Sequence, residues 1–298
     1  MKKILLTGVN GQVGHALQQK LSNHQVFALN RDQLDLSDKD AIRRVVKAIQ
    51  PDLIINPAAY TAVDKAESEP DLAYAINAIA PQVLAEEAAK LNAALIHFST
   101  DYVYDGSKIE NYVETDAVNP LSVYGKSKLA GELAINAVGL PHLILRTSWV
   151  YGAYGKNFLK TIIRLASERD SLRIVADQFG APTSSESIAD AVIDLFNTWQ
   201  PLELSQTGVY HFTNQGKTSW HGFSSEIVSE YNRLAVSKSL QMLKANVENI
   251  EPITTADYPT PAARPANSTL SNQKLKQVFN VSLPSWQQGL QQVMQSLV

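Results

Sequence analysis

Short apolar runs alternate with helical periodicities along the first half of the chain. Ile4-Leu5-Leu6-Thr7 predicts a buried strand, and Val13, Leu17 and Leu21 after it share one face of a helix. Residues 26–29 predict a second strand. Ser37 is the expected N-cap of a helix carrying Ile42, Val45, Val46 and Ile49, which Pro51 ends. Residues 53–56 and 94–98 predict the third and fourth strands, and the alanine-rich stretch 72–91 between them predicts a helix that Pro81 kinks. The fourth run ends at Ser99-Thr100, a helix is expected over 124–138, and residues 143–147 predict a fifth strand. Strands alternating with helices in this way predict a parallel sheet covered on both faces.

After Trp149 the rhythm changes. An amphipathic helix is expected over 157–169, a short strand over 172–175, a helix over 188–196 and a strand over 208–212. Tyr258-Pro259-Thr260-Pro261 and Arg264-Pro265 exclude regular helix in the tail. The expected architecture is α/β: a Rossmann-like doubly wound parallel sheet with a smaller C-terminal substrate-binding lobe. Residues 1–150 form the expected sheet unit, with 186–217 returning to it, and 151–185 and 218–298 form the lobe.

Composition narrows the function. With 298 residues, 45% of them hydrophobic, the chain can bury a full core. Its net charge of −3, without a basic tract, gives no electrostatic support for binding nucleic acid or a membrane surface. The absence of cysteine excludes disulfides, thiolate metal sites and cysteine nucleophiles, and fits a cytoplasmic protein. No apolar stretch is long enough to span a membrane, and the run at the start is too short for a signal peptide.

Candidate chemistry begins at the first turn. Gly8-Val9-Asn10-Gly11-Gln12-Val13-Gly14 joins the first strand to the first helix with the spacing G-x-x-G-x-x-G. Gly8 would allow the tight turn, Gly11 the approach of a pyrophosphate to free N–H groups at the helix start, and Gly14 close packing of helix on sheet. After the second strand come Asn30, Arg31 and Asp32. Arg31 could pair with a 2′-phosphate, favouring NADPH, whereas Asp32 keeps NADH open. Asp35-Leu36 could flank the adenine.

Tyr124 and Lys128 are four residues apart and share a helix face. A free phenol, with a pKa near ~10, exchanges protons poorly at neutral pH. A neighbouring ammonium would lower that pKa and let Tyr124 trade a proton with a substrate oxygen while hydride moves at the adjacent carbon. Ser99 and Thr100 end the fourth strand, where sites form in open parallel sheets, and Thr100 could orient a carbonyl oxygen. Glycine turn, hydroxyl and Tyr/Lys pair, in that order, point to a dehydrogenase.

These residues resemble the extended short-chain dehydrogenase/reductases and, within them, the dTDP-4-dehydrorhamnose reductase family. The blocks that carry the resemblance are Gly8 to Gly14, Asn56 to Glu67, Ser99-Thr100-Asp101-Tyr102-Val103-Tyr104, Tyr124 to Glu132, Arg146 to Tyr151, Asp177 to Thr183 and Arg264-Pro265-Ala266-Asn267-Ser268. The resemblance implies a catalytic triad of Thr100, Tyr124 and Lys128, with hydride passing from the cofactor to C4 of a nucleotide sugar and Tyr124 giving the proton. It implies that Ala58, Ala59, Thr61 and Asn77 line the cofactor, and that Tyr102, Val103, Trp149, Asn157 and Arg264 contact the substrate. Asn10, Gln12, Val13 and Ser99 complete the expected cofactor wall. Some family members hold Mg²⁺ at a dimer contact through an acid just after the glycine motif. His15 stands there in this chain, a poor ligand for a hard cation, which argues against that metal and leaves a homodimer open. Two rivals remain: a nucleotide-sugar epimerase or 4,6-dehydratase on the same scaffold, and a non-catalytic cofactor-binding subunit. A dehydratase would carry Asp-Glu after the active-site threonine, and here Asp101-Tyr102 follows.

Overall fold

The computed structural model describes residues 2–198 and 204–298. Residues 199–203 of the expected returning segment lie outside the described residues. Lys3–Leu6 (β1), Gln12–Lys20 (α1), Gln25–Ala28 (β2), Lys39–Ile49 (α2) and Leu53–Asn56 (β3) open the chain. A short helix, Val63–Ala66 (α3), precedes Pro70–Tyr74 (α4) and Ala80–Lys90 (α5), and Ala94–Thr100 (β4), Val123–Val138 (α6) and His142–Thr147 (β5) follow.

Two local details differ from the sequence expectation. Asp38, not Ser37, caps α2: its carboxylate accepts from the N–H groups of Asp40 and Ala41, both at 2.9 Å. Ser37 instead donates its N–H and hydroxyl to Asp35. The expected kink at Pro81 is replaced by a π-helical turn over Ala75–Ile79, with Pro81 in the first turn of α5. A proline has no N–H for the carbonyl four residues back, here that of Asn77. That carbonyl lies where a Cβ on Gly131 would overlap it, so α6 packs tightly onto the widened turn.

The remaining elements are Val150–Tyr151 (β6), Phe158–Glu168 (α7), Leu172–Val175 (β7), Phe179–Gly180 (β8), Thr183–Ser184 (β9), Ser185–Thr198 (α8), Gly208–His211 (β10), Thr218–Ser219 (β11), Trp220–Ser237 (α9), Ile250–Ile253 (β12), Gln273–Phe279 (α10) and Trp286–Leu297 (α11). The main sheet runs β10-β5-β4-β3-β1-β2 with every pairing parallel. Its strands are apolar runs because both faces are covered. One face carries Ile4, Leu6, Leu17, Ile188, Val192 and Phe279. The other carries Leu5, Ile42, Val46, Leu84 and Ile135.

A separate core gathers Leu159, Ile162, Phe223, Ile227, Trp286 and Leu290 from α7, α9 and α11. Pairs β7/β12, β8/β11 and β6/β9 accompany it. The two parts interleave: α8 packs on α1, β10 joins the main sheet, and Leu275 and Phe279 of α10 belong to the sheet's core. Strand order turns about β1 and β3, and the crevice beyond the carboxyl ends of such strands is where ligands sit in open α/β sheets. No described helix is long and apolar enough to cross a membrane.

Candidate active site

That crevice holds a cleft of about 570 Å³. Its floor is the glycine turn. Gly8 has φ +61°, the left-handed region that glycine adopts at little cost. A Cβ on Gly14 would overlap the Gly8 carbonyl oxygen, so only glycine lets α1 start there. Gly8, Asn10, Gly11, Gln12, Val13 and Gly14 all line the cleft, as do Arg31, Asp35, Leu36, Ala58, Ala59, Thr61, Ser99, Tyr124 and Lys128. Two hydrogen bonds from Ser37 hold the Asp35 carboxyl below its ordinary range.

Asn77 does not reach the cleft. It is fully buried behind the wall, where Oδ1 accepts from Tyr60 N (2.8 Å) and Nδ2 donates to Tyr60 O (3.1 Å) and Ser127 Oγ (3.0 Å). It braces the Ala58–Thr61 segment against α6. The wall also includes residues the glycine pattern does not signal: Asn30, Tyr60, Ile76, Thr147, Gly155 and Lys156. Gly155 and Lys156 come from the loop before α7, which Asn157 ties down by donating to Gln12 Oε1 (2.9 Å) and Gly152 O (2.8 Å).

Ser122 caps α6 by accepting from Gly125 N at 3.1 Å. A Cβ on Gly125 would overlap the Tyr102 carbonyl oxygen, so the helix starts hard against the segment after β4. This places the Tyr124 phenol against the Thr100 hydroxyl, which itself donates to Asp101 Oδ1 at 3.0 Å. Burial pushes the Asp101 carboxyl up to about 6, against hydrogen bonds from Ser268 and Thr100. Lys128 is buried one turn along, donating to Phe98 O (2.6 Å) and meeting His97 Nε2 at 3.1 Å.

Burial lowers the Lys128 ammonium to about 8, although Glu132 opposes the shift. Tyr124 departs from the expected direction. Its pKa is raised to about 12, chiefly by burial, because desolvation outweighs the help of Thr100. The phenol is therefore protonated at neutral pH.

Arg146 of β5 meets Glu132 through two hydrogen bonds, Nε to Oε1 (3.0 Å) and Nη2 to Oε2 (2.6 Å), and Ser99 donates to the same carboxylate. Arg146 also donates to the Tyr104 hydroxyl at 2.7 Å, which meets His211 Nε2 at 2.8 Å. This buried network locks the ends of β4 and β5 to α6.

None of the five residues expected at the substrate is part of the cleft wall. Tyr102 sets its ring edge-on to Tyr124, centroids 5.5 Å apart, and Arg264 lies 5.9 Å over the Tyr102 ring while pairing with Asp64 at 2.8 Å. Trp149 has φ +46° and stacks on Trp220 at 3.5 Å. Val103 is core, packed with Tyr104, Tyr112 and Leu270. Asn157 is spent on capping α7 and on the link to Gln12. His15, after the glycine motif, stacks on Tyr154 at 3.8 Å.

The parallel sheet, the glycine turn and the Tyr/Lys helix at one crevice define an extended short-chain dehydrogenase/reductase. The family model described as "RmlD substrate binding domain" matches residues 1–298, and the chain belongs to that family. It is 46% identical over 288 residues to the dTDP-4-dehydrorhamnose reductase of Burkholderia thailandensis, covering 95% of each chain. It is 44% identical to the enzyme of that name from Aggregatibacter actinomycetemcomitans, covering 98% of each. Among solved structures, the dTDP-4-dehydrorhamnose reductase of Bacillus anthracis in complex with NADP is similar at TM-score 0.88 and 35% identity, covering 99% of each chain.

Proposed function

We propose that this chain reduces the C4 ketone of dTDP-4-dehydro-L-rhamnose to dTDP-L-rhamnose with NADPH, in the cytoplasm. The observation that carries the reading is the meeting of Tyr124 and Thr100 beside buried Lys128, at the end of a cleft floored by the glycine turn. Reductases of that name at 40–46% identity support the substrate.

The cleft fits a dinucleotide on its own terms. The glycine turn lines the cleft where α1 begins, and the first N–H groups of a helix are suited to a pyrophosphate. Thr147 borders the cleft, and its buried Oγ1 has no hydrogen-bond partner among the described residues. Arg31 stands exposed on the wall where a 2′-phosphate would be recognised, which favours NADPH over NADH. When bound, the nicotinamide supplies hydride. Thr100 orients the ketone oxygen, and Tyr124, held as a neutral phenol, donates its proton to that oxygen. Lys128, with its lowered pKa, is placed to restore the proton.

Residues 1–150 with 186–217 carry the cofactor in this reading, and 151–185 with 218–298 form the sugar side. Tyr102 lies next to Tyr124 and Arg264 over the Tyr102 ring, and Arg264 would turn from Asp64 toward a diphosphate. The purified chain should oxidise NADPH only when the keto sugar is supplied. Oxidation independent of the sugar, or cofactor binding without turnover, would reject the proposal, and the latter would favour a non-catalytic subunit.

A further inference from the structure

Behind Lys128 runs a buried polar chain that the reaction as described does not use. Thr7 Oγ1 donates to Asn56 Oδ1 at 2.6 Å. Asn56 Nδ2 lies 3.0 Å from His97 Nδ1, and His97 Nε2 lies 3.1 Å from Lys128 Nζ. Asn56 and His97 are fully buried, and Thr7 and Lys128 nearly so. The links join the ends of β1 and β3 and the middle of β4 to α6, and Thr7 itself borders the cleft.

A proton inventory follows from the donors each group owns. Burial holds His97 neutral, so its ring has one N–H and one acceptor. An ammonium only donates. Beside an ammonium, His97 must accept at Nε2 and carry its proton on Nδ1, and Asn56 must then offer its oxygen to Nδ1. The amide has the opposite orientation. Its oxygen faces Thr7, at a separation suited to O–H···O, and its NH₂ faces Nδ1. Nδ1 therefore accepts, the ring proton sits on Nε2, and it points at the Lys128 nitrogen. Lys128 still donates to Phe98 O, as an amine can.

We propose that His97 is a positioning residue for Lys128: Thr7, Asn56 and His97 form a row of donors aimed at Nζ that favours the uncharged amine. The row makes Lys128 a ready proton donor to the Tyr124 phenolate left after reduction. The proton leaves Nζ as the phenol re-forms, and Nζ then accepts the His97 hydrogen bond. This step rests on the reductase reading, whereas the hydrogen-bond row does not. Of the other titratable groups, Glu132 on α6, paired with Arg146 of β5, acts on Lys128, Asp101 after β4 acts on Tyr124, and His142 of β5 acts on His97.

The test is read on the full chain without substrate. Nitrogen-15 NMR of the His97 ring above the Lys128 midpoint should show a protonated Nε2 and a bare Nδ1. The Lys128 Cε resonance, assigned by Lys128→Met, should titrate near 8. Thr7→Val, which keeps volume and removes the first donor, should free the amide to turn and raise that midpoint by about half a unit to one unit. Thr7→Ser should restore it. A ring proton on Nδ1 above the midpoint, or a Thr7→Val midpoint unchanged or lowered, would overturn the proposal. The ring measurement needs no variant, so it decides the matter even where Thr7→Val misfolds. Turnover with the keto sugar is scored separately: its absence would reject the reductase reading while the NMR still decides the role of His97.

Discussion

The glycine turn and the Trp149–Trp220 stack show two ways in which one chain fixes a local shape. The turn is made by consecutive residues whose requirement is steric: a left-handed Gly8, and no room for a Cβ at Gly14. The stack joins residues 149 and 220 across the second core, and Gly180 opens space for the Trp149 ring. The first is specified locally and cannot vary in side-chain size. The second depends on α9 and the β8/β11 pair coming together, and its requirement is shape rather than backbone conformation. In the proposed reading, cofactor recognition rests on the rigid, local element and sugar recognition on the assembled one.

Gly14→Val attacks the first region where it is least tolerant. The added side chain meets backbone, so we expect loss of measurable NADPH binding and a destabilisation of about 1–3 kcal/mol, read by fluorescence titration and thermal melting. Retained cofactor affinity would mean that the turn is not the pyrophosphate floor. Trp220→Ala attacks the second region. It should raise KM for the sugar roughly tenfold and leave KM for NADPH near wild type, with about 1–3 kcal/mol lost from stability. Equal effects on both constants would erase the contrast between the regions.

Acid sensitivity makes a smaller test, at the buried network that joins His211 to Tyr104 and Arg146. Burial, then Arg146, lowers His211 to about 3. Its unfolded value is near ~6.5, so the unfolded chain binds the extra proton between those limits and stability falls as pH falls through them. The loss in Tm from pH 7 to pH 5 should shrink in His211→Gln by an amount corresponding to about 1–2 kcal/mol. An identical loss in both would show that His211 does not set the acid sensitivity.

The parallel sheet was legible because each strand is an apolar run buried on both faces, and the cleft floor because glycines there answer to sterics. Ser37 is not the cap its sequence position suggests, because Asp38, next to it, competes for the same N–H groups and wins with a carboxylate. The π turn before Pro81 and the brace formed by Asn77 depend on α6 packing against them, which no local pattern reports. The expected lowering of Tyr124 considered charge alone, whereas burial decides its direction. The pairing of Arg146 with Glu132 and the chain behind Lys128 join separate strands and helices, so they emerge only once the sheet is assembled.

The central claim is that the Tyr124 phenol delivers the proton. Tyr124→Phe, assayed for NADPH oxidation with dTDP-4-dehydro-L-rhamnose and for NADPH affinity by titration, tests it most directly. We expect kcat to fall by about 10²–10⁴-fold with cofactor affinity unchanged. Turnover equal to wild type would contradict the assignment.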